Sequence, residues 1–137
     1  MENGTNHRAQ NSRDKILVID DSPVIREMLI EILTDDGYTV DVAVDGEIGI
    51  AMALATDYLM ILCDVHMPRK NGLEAVQEII AAKAASQIVM TDSLPDKLAQ
   101  SARDAGALCC LQKPFDVGEL RDMIDRIKRG KGQIVGR

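Results

Sequence analysis

Lys15-Ile16-Leu17-Val18-Ile19-Asp20-Asp21-Ser22-Pro23 holds a strand, an acidic pair and a helix start in one short stretch. Ile16 to Ile19 is an unbroken aliphatic run, as expected of a strand covered on both faces. Ser22 before Pro23 reads as an N-cap with proline in the first helical turn. Ile25, Met28, Leu29, Ile32 and Leu33 then recur at helical spacing until Gly37. A buried strand handing over to an amphipathic helix is the first half of a βαβ unit.

Working outward, three more apolar runs end in residues suited to one chemistry. Leu59-Met60-Ile61-Leu62-Cys63 meets Asp64, Ile88-Val89-Met90 meets Thr91, and Leu108-Cys109-Cys110-Leu111 is followed by Gln112-Lys113-Pro114. Thr39 to Val44 alternates polar and apolar residues and is expected to be an edge strand. A second helix is expected from about Gly46 to Ala55, burying Ile50 and Leu54. A third starts near Gly72 and buries Leu73, Val76, Ile79 and Ile80. Leu94 to Ala105 suggests a fourth, stopped by Gly106. The fifth begins at Asp116 with Glu119 in capping-box position and a stripe of Val117, Leu120, Ile124 and Ile127. Its closing Arg126, Lys128 and Arg129 suit the helix C-terminal dipole.

Five strands alternating with five helices predict a doubly wound α/β domain, flavodoxin-like, with a five-stranded parallel sheet. The expected strand order is 2-1-3-4-5, which opens a crevice between the first and third strands. C-terminal strand ends share one rim in such a sheet. Asp20, Asp21, Asp64, Thr91 and Lys113 are therefore expected to converge there.

The composition limits the alternatives. A chain of 137 residues is one domain, able to bury roughly two-thirds of its unfolded surface. Residues 1–14 read as a disordered leader, 15–129 as the folded domain and 130–137 as a short tail. The formal net charge of −6 argues against nucleic acid and anionic membrane as partners. No apolar run approaches the ~20 residues of a membrane span, and no signal peptide is evident, so a cytoplasmic location is expected. The three cysteines lack metal-ligand spacing and read as small strand hydrophobes.

Clustered carboxylates need a counter-charge. Two unit charges about 5 Å apart repel by roughly 3 kcal/mol at an effective dielectric of about 20. A hard divalent ion, most simply Mg²⁺, fits an all-carboxylate donor set, with Lys113 as the cation expected beside it. An aspartate there can act as nucleophile toward a phosphoryl group and form an aspartyl phosphate.

These residues resemble the receiver domain of two-component response regulators, in its single-domain, chemotaxis-receiver form. The matching elements are Asp20-Asp21, Asp64 with Met67-Pro68 and Gly72, Thr91, and Lys113-Pro114-Phe115, spanning Lys15 to about Arg129. The resemblance implies that Asp64 is the phosphoacceptor and that Asp20, Asp21 and Asp64 hold Mg²⁺. It further implies that the His66 backbone carbonyl completes the metal shell. Thr91 and Lys113 would bind the phosphoryl oxygens, and the Lys113–Pro114 bond is often cis in the family. A histidine kinase or phosphotransfer protein is the implied donor, docking around the first helix and the Asp64 rim. A downstream protein would be engaged through the face of the fourth helix, fifth strand and fifth helix. The implied role is a signalling switch that catalyses only its own phosphorylation and dephosphorylation. With eight residues after the last predicted helix, its output is read as protein–protein contact by a stand-alone domain.

Two positions depart from the family pattern. Cys110 stands where an aromatic residue usually follows the threonine's movement, and Asp92 stands where a small residue usually follows that threonine. Both point to a smaller change of shape on phosphorylation. They also motivate an alternative, a degenerate receiver acting as a phosphorylation-independent adaptor, against which Asp20, Asp21, Asp64 and Lys113 all count. The His66 side chain is expected to face solvent beside the crevice. His66 also occupies the place where an aspartate-nucleophile phosphatase would have its second aspartate, and Asp20-Asp21 would repel a flavin phosphate.

Overall fold

The computed structural model describes residues 14–67, 69–93 and 95–130. The strands are β1 (Lys15–Ile19), β2 (Thr39–Ala43), β3 (Met60–Asp64), β4 (Ile88–Asp92) and β5 (Cys109–Gln112). They alternate with α1 (Pro23–Asp35), α2 (Gly46–Ala55), α3 (Gly72–Ala82), α4 (Pro95–Ala105) and α5 (Val117–Gly130). All strand pairs are parallel and the order is β2-β1-β3-β4-β5, as the sequence pattern predicts. The expected leader falls outside the described residues except for Asp14, and so does the expected tail except for Gly130, which ends α5. Pro68 and Leu94 also lie outside them.

Successive strand residues point to opposite faces of the sheet, and each face has its own core. Leu17, Ile19, Ile61, Cys63 and Met90 pack with Ala53 of α2, Val76 and Ile79 of α3 and Ala102 of α4. On the other face Ile16, Val18, Leu62 and Val89 meet Leu29 and Leu33 of α1 and Leu120, Ile124 and Ile127 of α5. Burying a side chain of this size contributes roughly 1.5–3 kcal/mol. β2 is the edge strand that its alternation implies, and only its Ala43 is fully buried.

Helix starts follow from short polar side chains. Ser22 Oγ accepts from the Ile25 N–H at 3.3 Å, and Asp45 Oδ1 from the Ile48 N–H at 2.9 Å. Asn71 and Glu74 form a full capping box at α3. Asp116 Oδ1 accepts from the Glu119 N–H at 3.2 Å, so Asp116 precedes α5 rather than belonging to it.

One expectation about a buried face needs correction. In α2 the buried residues are Gly46, Gly49 and Ala53, Ile50 is half-buried, and Leu54 is 45% exposed. The cause is close packing: a Cβ at Gly49 would lie 2.5 Å from Ile19 Cδ1, so the helix turns its smallest residues inward. In α1 only Leu29 and Leu33 are fully buried, with Ile25 and Met28 packed at the margin.

Gly72 fixes the geometry beneath the rim. Its N–H donates to the Val65 carbonyl at 2.8 Å, and a Cβ there would lie 2.1 Å from the Asp64 carbonyl oxygen. Overpacking against backbone costs about 1–3 kcal/mol. Gly72→Ala is expected to lower stability by that amount in chemical denaturation. An unchanged midpoint would show that α3 can start further from Asp64.

Candidate functional site

The rim is assembled at the C-terminal ends of β1, β3, β4 and β5. β1 and β3 are neighbours in the sheet although β2 follows β1 in the chain, so the crevice opens where the connections diverge. Asp20 and Asp21 follow β1, Asp64 ends β3, Thr91 pairs with Asp64 in the β3–β4 ladder, and Lys113 follows β5.

The structure brings together the three carboxylates singled out from sequence. Asp20, Asp21 and Asp64 each offer an oxygen, and the three lie within 4.8 Å of one another. Asp20 and Asp64 are buried, whereas Asp21 is exposed. Asp20 is held from several directions. Its Oδ1 accepts from the Ser22 N–H at 2.9 Å, and its backbone N–H donates to Ala43 at 3.1 Å. Its carbonyl accepts from Arg26 Nη1 at 2.9 Å.

Lys113 is the cation between the buried acids. Its Nζ lies 3.0 Å from Asp20 Oδ2 and 3.3 Å from Asp64 Oδ1. The preceding strand places it: the Lys113 N–H donates to the Asp92 carbonyl at 2.9 Å, and Lys113–Pro114 is a cis peptide bond. Burial works against the ammonium, yet the Asp20 and Asp64 carboxylates outweigh it and hold Lys113 above the usual lysine range. Asp64 shows the opposite balance. Burial pushes its carboxyl above the usual range, Asp20 adds to that, and Lys113 opposes it.

Thr91 is 2% exposed, and its carbonyl accepts from the Val65 N–H at 3.0 Å. Cys110 pairs with Met90 across the β4–β5 ladder and packs half-buried against the core. Burial, with Asp92 beside it, pushes its thiol up to about 11, which keeps it protonated at neutral pH.

Three contacts had no decisive sequence signal. The exposed His66 side chain faces solvent as expected, and its Nε2 lies 3.4 Å from Oδ1 of buried Asp92. Arg69, at φ 69°, reaches Asp45 at 3.5 Å and Glu47 at 3.8 Å, tying the β3–α3 loop to α2. Lys83 Nζ closes the C-terminal end of α2 through the Ala53 and Thr56 carbonyls and Asp57. Such long-range pairs have no fixed spacing to read.

An acidic cluster with a lysine over it, at the switch point of a doubly wound sheet, lies where domains of this architecture bind their ligands. The model of the family described as "Response regulator receiver domain" matches residues 16–125, and the chain belongs to that family. Transcriptional regulatory protein PdtaR of Mycobacterium tuberculosis is 35% identical over 112 residues, covering 81% of this chain and 55% of that protein. Several curated relatives are about twice as long as the region they share with this chain, which covers about half their length. Chemotaxis protein CheY4 of Vibrio cholerae is 33% identical, with a TM-score of 0.74 over 82% of this chain and 97% of that one. The receiver domain of a Pseudomonas aeruginosa sensor histidine kinase, solved with magnesium in its active-site cleft, is 27% identical. Its TM-score is 0.79, over 85% of this chain and 98% of that one. The chain is thus a receiver domain of the two-component type, a family of phosphoacceptor switches that are generally not enzymes. Among the described residues, no helix is long and apolar enough to cross a membrane.

The raised Asp64 carboxyl has a consequence for stability. A folded-state pKa above the unfolded one means that the fold binds the proton more tightly. Ionised Asp64 is then a net cost at neutral pH, and that cost disappears as pH falls through the folded value. Asp64→Asn is expected to melt a few degrees higher than the parent at pH 7.5 in chelator, with the gain shrinking toward pH 4. A lower melting temperature at pH 7.5 would mean that the Lys113 pair outweighs burial.

Proposed function

We infer that the unit formed by residues 15–129 accepts a phosphoryl group on Asp64 and passes the signal on by contact with another protein. The observation that supports this most is the placement of Asp20, Asp21 and Asp64 within 4.8 Å of one another beneath Lys113. Three carboxylates without nitrogen or sulfur donors suit a hard divalent ion that retains several waters. Asp20, Asp21 and Asp64 would hold Mg²⁺, with the His66 backbone carbonyl as a further ligand. The ion supplies positive charge where phosphoryl oxygens gather.

Asp64 is the nucleophile in this reading. Its carboxylate oxygen bonds to phosphorus in line as the bond from phosphorus to the donor breaks. With a phosphohistidine donor, the leaving imidazole nitrogen takes up a proton. Burial favours this chemistry because a partly desolvated carboxylate is more reactive than a hydrated one. Lys113, already in contact with Asp64, exchanges a carboxylate for a phosphoryl oxygen at little reorganisation. The Thr91 hydroxyl, on the adjoining strand, donates to another phosphoryl oxygen.

A histidine kinase or phosphotransfer domain is the donor, meeting α1 and the Asp64 rim. The α4–β5–α5 face is where a downstream protein would bind. The acidic balance of the chain supports a protein target over nucleic acid.

Acetyl phosphate with and without Mg²⁺, followed by intact mass, tests the chemistry. One phosphoryl group is expected to add only with Mg²⁺ and to be absent in Asp64→Asn. A folded parent that gains none would turn the reading toward a constitutive adaptor.

Cys110 and Asp92 bear on how far the signal travels. A thiol cannot swing between buried and exposed positions as a ring can, and Asp92 adds a buried carboxylate beside Thr91. Moving a two-state balance from 1:99 to 99:1 takes about 5.5 kcal/mol of differential binding. A phosphoryl mimic is therefore expected to shift amide resonances strongly around Asp64 and weakly across α4, β5 and α5. Equally large shifts on that distant face would contradict this.

A further inference from the structure

We propose that Arg69 is a positioning residue for the aspartate site: its ion pairs with Asp45 and Glu47 hold the β3–α3 loop that carries the His66 carbonyl. The proposal rests on the reading of Asp20, Asp21 and Asp64, with that carbonyl, as a Mg²⁺ site.

Arg69 follows His66 in the loop and has a backbone φ of 69°. Among the described residues it is the one non-glycine residue at positive φ. Left-handed backbone is uncommon outside glycine, asparagine and aspartate. Such strain persists only where the surroundings over-determine it. Here they do. Arg69 Nε lies 3.5 Å from Asp45 Oδ2, and its Nη1 lies 3.8 Å from Glu47 Oε1. Asp45 Oδ1 already accepts from the Ile48 N–H, which leaves Oδ2 for the guanidinium. Pairs between two exposed side chains contribute little, but the Asp45 side chain is 6% exposed, so water and salt screen this one less.

The neighbouring residue is held as well. Gly46 lies against the Lys70 carbonyl, where a Cβ would be 2.2 Å from the oxygen, and Lys70 Nζ pairs with Glu78 of α3. Asp45-Gly46 thus meet Arg69-Lys70 in step, through side chains at the first pair and backbone at the second. The ends of the loop are fixed separately. The Val65 N–H donates to the Thr91 carbonyl at 3.0 Å, and the Gly72 N–H to the Val65 carbonyl at 2.8 Å. Nearer the site the hold is loose: the His66 N–H donates to Asp64 Oδ1 at 3.5 Å, a long contact. Arg69 supplies the tie from the middle of the loop to the start of α2.

Charge and position predict opposite effects. By charge alone, removing Arg69 would leave Asp45 and Glu47 without their cation and make the rim more negative, which attracts Mg²⁺ more strongly. By position, its removal frees the loop to carry a ligand out of place, which weakens binding.

Calorimetric titration of the full chain with Mg²⁺, well below the melting temperature, separates the two. Arg69→Gln keeps the strained backbone and loses the charge, and is expected to bind about tenfold more weakly than the parent. Arg69→Gly relieves the strain and loses the tie, so it is expected to keep the parent's melting temperature and still bind more weakly. Arg69→Lys restores the charge and is expected to recover most of the affinity. A purely structural role would lower the melting temperature and leave the affinity of the folded chain unchanged. Arg69→Gln and Arg69→Gly chains that bind as tightly as a binding parent, or more tightly, overturn the proposal and leave the aspartate site standing. So does Arg69→Lys binding as weakly as Arg69→Gln. A folded parent that binds no Mg²⁺ overturns the metal reading and the proposal together.

Discussion

Like charges confined to one rim are the constraint on which the rest of this structure depends. Parallel pairing of β1 with β3 forces Asp20 and Asp64 together, and both are buried. Two such carboxylates repel by a few kcal/mol unless a cation stands between them. Lys113, delivered by β5 from the far side of the sheet, meets both. The ladder that stabilises the fold is also what loads the site, so stability and chemistry oppose each other at Asp64. Burial disfavours its ionised form while Lys113 favours it.

The second layer of the design is backbone precision around those acids. Ser22 both caps α1 and lends its N–H to Asp20. Gly72 allows α3 to start against the Asp64 carbonyl, and Gly46 does the same for α2 against the Lys70 carbonyl, where a Cβ would lie 2.2 Å away. Arg69 then links the β3–α3 loop to the α2 cap. The helices therefore act as struts that fix where the rim loops can go. A phosphoryl group arriving at such a site would meet groups already in place, which is how phosphoryl transfer is generally assisted.

Much of this was legible in the sequence because the signals are local and periodic. Aliphatic runs ending in Asp20, Asp64, Thr91 and Lys113 gave the strand ends, and parallel topology brought those ends to one rim. The buried face of α2 differs from the expected one because helical spacing cannot tell which side of a helix with a single charged residue, Glu47, turns inward. Gly49 decides that by admitting Ile19, a contact between separate elements. His66 with Asp92, Arg69 with Asp45 and Lys83 with the end of α2 were invisible for the same reason. Each joins residues whose separation follows from the folded chain and from no motif.

The central claim is that Asp20, Asp21 and Asp64 act as one cation site. Calorimetric titration with Mg²⁺, comparing the parent with Asp21→Asn, tests it most directly. Asp21 is exposed and the buried Asp20–Lys113–Asp64 contacts do not include it, so its loss should leave the fold intact. The account predicts one saturable site in the parent, weakened at least about tenfold by the substitution. Equal binding by both chains, or no binding by a folded parent, would contradict it.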